Sequence, residues 1–391
     1  LPYTTRTDPH RPATRSRLIQ IEDNSALLEQ LETILGPGGL SRDETGSLLL
    51  SPTSIDELRD LITVAGSHST SITFGFPTRS ATPNGSLQLS LRRLDRIIEI
   101  DPENLTARVE AGVPHPTLSA ALAEFNLIWP VAPMPGHESL VDSVLSGLAL
   151  GNSGLFPDLR HWVLGATVVA RDGLIFQAGG RTIKNSSGYD LTRAGAGAGG
   201  LFGVPAKLQL RLERRPEVDR VAPVTLSLNN EAAAVLALAT ANLDLVRRLS
   251  VAATPAHPLT ARLTLAGRSE AVDSLSSHIK TQHSVSDDDI EDRALTLCAT
   301  AGDSLVSWTA GPHTCLAIAL ELHRQQPASA VVALPMQRRG FVTGPEPDRI
   351  AIIIAGSGAT PIHLPDGFTS IAPSKLLVPP SRPFAVVPLP S

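Results

Sequence analysis

The chain has 391 residues, 42% of them hydrophobic and 18% charged, with a formal net charge of −5. That length is enough for two or three separate cores, and the mildly acidic balance gives no electrostatic footprint for DNA or RNA. Two cysteines, Cys298 and Cys315, are too few and too far apart for a zinc or iron–sulfur ligand set, and no apolar run reaches the ~20 residues of a membrane span.

The cysteines therefore read as reduced, buried thiols of a cytoplasmic protein. Residues 1–20 are expected to be a flexible basic tail: LPYTTRTDPHRPATRSR carries four Arg against one Asp and lacks the apolar centre of a signal peptide. A transit-peptide remnant is the other reading.

NSALLEQLETILG (24–36) sets Leu27, Leu28, Leu31, Ile34 and Leu35 at helical spacing, and SPTSIDELRDLITVAG (51–66) opens a second helix behind a cap at Ser54. Short strands follow in ITFGF, LQLSL, IIEID and LTARVEAG, separated by Gly, Pro and Asn turns. PTLSAALAEFNLIWP (116–130) reads as helix again. HESLVDSVLSGLALGNSG is rich in small residues, and VLGATVVARDGLIFQAG (163–179) reads as a hairpin turning at Arg171–Asp172–Gly173. AKLQLRLERRP (206–216) alternates Leu208, Leu210 and Leu212 with polar residues and ends at Pro216.

Beyond Arg215–Pro216 the pattern changes to strand TLSL, helix EAAAVLALATANL, strand ARLTLAG and helix SEAVDSLSSHI, continuing through LAIALELHRQ and SAVVALP to AIIIAG, a run of strand length. This succession predicts a second domain over 216–391 after a first over 21–215, in α+β layers rather than a doubly wound sheet. The acidic run Asp287, Asp288, Asp289, Glu291, Asp292 lacks the spacing of a calcium loop and reads as a solvated loop or helix start.

Gly195, Gly197 and Gly200 spell G-x-G-x-x-G, but a dinucleotide turn needs a strand before the first glycine and a helix after the last. Here SSGYDLTRA precedes and a proline-bearing strand follows, so the match fails on context. No G-x-x-x-x-G-K-[ST] phosphate loop and no G-x-S-x-G elbow is present. His115, His137 and His161 are scattered, so no metal is expected, and His323 reads as a surface residue at a helix end.

The stretch Gly179-Gly180-Arg181-Thr182-Ile183-Lys184-Asn185-Ser186-Ser187-Gly188-Tyr189-Asp190-Leu191, continuing through Gly197, Gly200, Gly203 and Val204, resembles the pattern G-G-x-x-x-K-N-x-x-G-Y-D-L of FAD-linked oxidases of the vanillyl-alcohol oxidase type. Within them it is most similar to the glycolate oxidase flavin subunits of the E type. SPTSIDELRDLI, LRRLDRIIEIDPENLTARVEAGV and WPVAP, which ends at Pro133, resemble the same family, so the likeness is good over roughly 50–215.

The resemblance implies a PCMH-type FAD-binding domain of two α+β subdomains followed by a smaller α+β cap. It implies FAD held by Gly75, Phe76, Thr78, Arg79, Pro133, Val144, Ser146, Gly147, Ser153, Gly154, Gly188, Asp190, Gly203 and Val204. Lys184 and Tyr189 are the implied catalytic residues, Lys184 for a substrate carboxylate. For Tyr189 a hydroxyl bonded at a domain seam is the alternative, and for Lys184 and Arg79 an exposed loop position.

Three segments depart from the family pattern. R-G-G-G-T falls on Phe74-Gly75-Phe76-Pro77-Thr78, and T-I-G-G on Ser143-Val144-Leu145-Ser146. G-S-x-G-T-L-G has become Gly197-Ala198-Gly199-Gly200-Leu201-Phe202-Gly203, without its hydroxyls. Each change removes a donor or adds a side chain where backbone N–H groups would meet phosphate.

The implied activity is FAD-dependent oxidation of a 2-hydroxy acid such as glycolate, in a complex whose iron–sulfur electron acceptor is another subunit. The alternative is a scaffold subunit that has lost or weakened FAD binding.

Overall fold

The computed structural model describes residues 25–42, 48–74, 86–133, 137–146, 149–153, 155, 158–180, 191–225, 231–282, 290–299, 305–336, 338–357, 359–363 and 370–371.

In chain order the first part contains α1 (Ser25–Leu35), β1 (Leu40–Arg42), β2 (Leu48–Leu50), α2 (Ile55–Ser67), β3 (Ser71–Phe74), β4 (Ser86–Leu89), β5 (Ile97–Asp101), β6 (Thr106–Glu110) and α3 (His115–Ala123). It continues through β7 (Leu127–Ile128), β8 (Val131–Ala132), α4 (Leu140–Ser146), β9 (Leu150–Gly151), β10 (Val163–Val169), β11 (Ile175–Gly179), α5 (Leu191–Gly195), β12 (Val204–Arg211) and β13 (Glu213–Arg214). The second part holds β14 (Val218–Thr225), α6 (Glu231–Ala241), β15 (Val246–Thr254), β16 (His257–Gly267), α7 (Ser269–Gln282) and α8 (Ile290–Ala299). It ends with β17 (Leu305–Thr309), α9 (Pro312–Gln325), β18 (Ala330–Leu334), β19 (Arg339–Thr343), α10 (Pro347–Gly356), β20 (Thr360–His363) and β21 (Ser370–Ile371).

α1 buries Leu27, Leu31 and Leu35, one face at i, i+4, i+8. α2 begins where Ser54 accepts a hydrogen bond from the Glu57 N–H, and Glu57 reaches back to the Thr53 N–H. The reciprocal pair satisfies donors that a helix start leaves open. These helices cover a sheet of order β1-β2-β4-β3-β21, whose β3 and β4 are parallel. A second sheet, β11-β10-β12-β6-β5, is antiparallel throughout and carries the hairpin at 170–174. The side chains of both belong to one apolar cluster running from Leu27 to Leu212.

The second part is a seven-stranded sheet, β14-β16-β15-β18-β19-β17-β20. One face packs Val251, Leu263, Val331 and Trp308 against α6, α7, α9 and α10. The other packs Ala252, Val332, Leu334 and Phe341 against α8, and there Ala132 of β8 joins it. That second face therefore looks toward the first part. Finally β21 returns the chain to β3, pairing Ile371 with Ile72.

Six elements differ from expectation. The helix predicted over 116–130 stops at Ala123, because Asn126 takes a left-handed conformation (φ 56°) and turns the chain into β7. AIIIAG is not a strand but the end of α10, which starts with Pro347 at its first turn and buries Ile350 and Ile354 four residues apart while Ile352 is exposed. The strand expected at TLSL lies earlier, as β14, and residues 226–230 fall outside the described ones. β15, β17 and β19 were not expected. In the acidic run, Asp287–Asp289 are outside the described residues, and Glu291 and Asp292 lie on α8.

Candidate functional site

The glycine tract follows a helix and precedes a strand, the reverse of a dinucleotide turn: α5 ends at Gly195 and β12 starts at Val204. Gly197, Gly199, Gly200 and Gly203 all have positive φ, from 58° to 119°, a region that side chains disfavour. Their purpose is visible in the hydrogen bonds. Gly197 N–H donates to Val144 O (2.8 Å) and Gly199 N–H to Leu145 O (3.0 Å), so the tract satisfies carbonyls that the end of α4 leaves open. Ala196, Ala198, Leu201 and Gly203 donate to carbonyls within 192–200.

α4 is buried along Leu140–Ser146, including Val144 and Ser146, and its start is bonded to the residues that follow β6, Leu140 N–H to Val113 O and Val141 N–H to Ala111 O. β8 pairs with β9, Ala132 opposite Leu150. Gly179, at the end of β11 (φ 72°), leaves no room for a side chain: a Cβ there would lie 2.5 Å from Thr192 Oγ1 and 2.2 Å from Leu164 O. α4, bonded to the glycine tract behind α5, and β11, packed on α5, form a seam; residues 134–136, 147–148, 154 and 181–190 lie outside the described ones.

Of the sequence-predicted residues, Val144 and Ser146 lie on α4 at this seam, Pro133 follows β8, and Ser153 follows β9. Gly203 and Val204 lie elsewhere, lining a cavity of about 30 Å³ with Ile62, Ala65, Thr70 and Ile72; that volume suits a water molecule. Gly75, Phe76, Thr78, Arg79, Gly147, Gly154, Lys184, Gly188, Tyr189 and Asp190 lie outside the described residues.

Two groupings had no sequence signal. His115 and His137, far apart in sequence, meet at the starts of α3 and α4. His115 Nε2 lies 2.8 Å from Ser143 Oγ, and its ring stacks on Trp129 with centroids 5.6 Å apart. Burial pulls the pKa of each histidine down to about 4, and each is neutral at pH 7; for His137 the nearby His115 adds to the effect. Burial pushes the neighbouring Asp142 carboxyl up, while it accepts from the Ser139 N–H.

The second grouping joins the two parts. Arg247, on β15, donates to Glu213 Oε2 on β13 (2.5 Å) and to the Asn152 carbonyl (3.2 Å), and Ser153 Oγ donates to Glu213 Oε1 (3.4 Å). Arg247 and Glu213 keep 15% and 26% of their side-chain exposure, so the pair is mostly shielded from salt.

Residues 47–179 match the FAD binding domain family, a span that ends at this seam. The chain is 29% identical over 221 residues to the glycolate oxidase subunit GlcD of Bacillus subtilis (strain 168), covering 49% of this chain and 46% of that protein. Over this span the chain is similar to FAD-linked oxidases. It is also 27% identical over 179 residues to a D-2-hydroxyglutarate dehydrogenase of Xanthomonas citri pv. viticola, covering 44% of this chain and 37% of that one. The chain spans less than half the length of these two relatives. Among solved structures, p-cresol methylhydroxylase with substrate bound has the same PCMH-type fold, with a TM-score of 0.67 at 14% identity over 87% of this chain and 88% of that one.

The matched family's cofactor is FAD, and the described residues fit it at the seam but not along the glycine tract. Asn152 Oδ1 and Thr192 Oγ1 are buried without a hydrogen-bond partner among the described residues, as expected of groups that await a ligand. The N–H groups of Gly197 and Gly199, by contrast, are engaged by α4.

Proposed function

We propose that the protein is an FAD-dependent oxidoreductase acting on a 2-hydroxy acid such as glycolate, as one subunit of a complex whose iron–sulfur electron acceptor lies on another chain. The observation that carries this is the match of 47–179 to the FAD binding domain family, with relatives named for glycolate and D-2-hydroxyglutarate. Bound FAD would supply the hydride acceptor.

In this reading the cofactor is held by Gly75, Phe76, Thr78 and Arg79 after β3; Pro133; Val144, Ser146 and Gly147 on and after α4; Ser153 and Gly154; and Gly188 and Asp190; Gly203 and Val204, which line the separate small cavity, are left out of it. Asn152 and Thr192 add polar contacts to it. Lys184 holds the substrate carboxylate and Tyr189 sits against the flavin. Residues 21–215 form the FAD-binding domain and 216–391 the cap, which excludes water. The buried, unpaired Cys298 and Cys315 support a reducing compartment such as the cytoplasm.

One observation favours a second reading, a scaffold subunit with weak flavin binding: the glycine N–H groups that could serve a pyrophosphate already serve Val144 and Leu145. Purification followed by absorbance spectroscopy separates the two. A yellow preparation with one flavin per chain is expected; a colourless one that takes up no added FAD would overturn the first reading.

A further inference from the structure

β21 brings the chain to the rim of the small cavity between α2, β3, β10 and the glycine tract. It pairs antiparallel with β3, Ser370 opposite Thr73 and Ile371 opposite Ile72. Residues directly opposite on paired strands present their side chains on one face, so Ile371 shares the face of Ile72, which lines the cavity with Ile62, Ala65, Thr70 and Leu201. The antiparallel direction sends the chain after Ile371 past Ser71 toward Thr70 and the end of α2.

The rim there is apolar and exposed. Leu201, one of the lining residues, is 44% exposed, and Phe202 beside it 42%. Adjacent large apolar side chains left in water at a cavity rim forgo about 25 cal/mol for each Å² they could bury, and such a patch marks a surface built to be covered. Both stand in the tract whose Gly197 and Gly199 are held by α4.

The segment that follows has the matching chemistry. Residues 372–391, outside the described ones, read APSKLLVPPSRPFAVVPLPS, with Leu376, Leu377 and Val378 as one apolar run, Lys375 and Arg382 as the charged residues, and six prolines. Proline fixes φ, so an extended chain rich in it loses less entropy on docking. Pro373 falls opposite Thr70 if the register continues, and it lacks the N–H needed to pair further with β3. Beyond it, the four residues to Leu377 span up to about 14 Å, enough to cross the cavity that Thr70 and Leu201 both line.

We propose that residues 372–378 dock on the rim between α2 and the glycine tract, with Pro373 opposite Thr70 and with Leu376 and Leu377 against Leu201 and Phe202. The occupant is this chain's own segment rather than a second copy, because tethering through β21 gives it an effective concentration of about millimolar. Docking gives the tract a second hold besides α4. It is independent of whether FAD binds.

The test uses the full chain carrying T70C with P373C. Opposed strand positions lie about 4.5–5.5 Å apart at Cα, within reach of a disulfide, and the native Cys298 and Cys315 are buried. Under mild oxidation an intrachain bridge is expected, read as a monomer band of altered mobility on a non-reducing gel, forming at least about tenfold faster than with T70C and S374C, whose side chains would point to opposite faces. In a second arm, L376S/L377S/V378S in the full chain alters no described residue, and amide exchange at 200–204 is expected to quicken at least about threefold as the rim loses its cover. Absence of the T70C–P373C bridge, a bridge only between two chains, equal rates for the two cysteine pairs, or unchanged exchange at 200–204 would each overturn the proposal.

Discussion

Gly197 donates its backbone N–H to the Val144 carbonyl at 2.8 Å, tying the glycine tract to the last turn of α4. The bond depends on a left-handed backbone at Gly197 (φ 83°). Gly197→Ala should therefore destabilise by about 1–2 kcal/mol, the cost of that conformation for a residue with a Cβ. Gly179→Ala should cost more, because its Cβ would also collide with Leu164 O and Thr192 Oγ1. Denaturant titration ranks the two, and an equal or smaller loss for Gly179→Ala would contradict this packing of β11 on α5.

If Gly75–Arg79 is a pyrophosphate loop, its bulky members should weaken binding. Phe76→Gly combined with Pro77→Gly restores the backbone donors and close approach that the family pattern has at these positions. FAD affinity, read by quenching of flavin fluorescence, should rise about tenfold or more, a change of ~1.4 kcal/mol. Unchanged affinity would remove the loop from the site.

The buried histidines predict a pH dependence of stability. His115 and His137 have folded-state pKa values near 4, below the 6.5 of an unfolded chain. Between these values the unfolded chain binds more protons, so folding is fully favoured above about 6.5 and weakens as pH falls toward 4. Each histidine accounts for up to about 3 kcal/mol of that loss. His115→Asn with His137→Asn should flatten the stability profile between pH 6.5 and 4; a profile as steep as wild type would contradict neutral burial.

Arg247 and Glu213 should be energetically coupled. Arg247→Ala, Glu213→Gln and the double variant form a cycle whose interaction energy is expected at roughly 1–3 kcal/mol for a largely shielded, hydrogen-bonded pair. Amide exchange at Asn152 and Ser153 should quicken in either single variant. A coupling near zero would show that the two parts are held by apolar contacts alone.

Much of the architecture could be read locally. Leucines spaced for α1 and α2, the Ser54 cap, and the Arg171–Asp172–Gly173 turn each act within a few residues, and each appears where expected. α10 was misread because a six-residue apolar run suits either a strand or a buried helix; Ile350 and Ile354 settled it by docking on the second core. β15 escaped notice because its irregularity at Arg247 breaks the two-residue period that marks a strand.

By itself the sequence carried the likeness to FAD-linked oxidases and with it the cofactor class, since the match over 47–179 needs no coordinates. Only the tertiary structure decided what the glycines do, which histidines meet, and where the arginines of the second sheet stand relative to the seam. Those facts depend on hydrogen bonds and packing between segments from 28 residues apart, His115 to Ser143, to 95 apart, Asn152 to Arg247, and no local spacing encodes them.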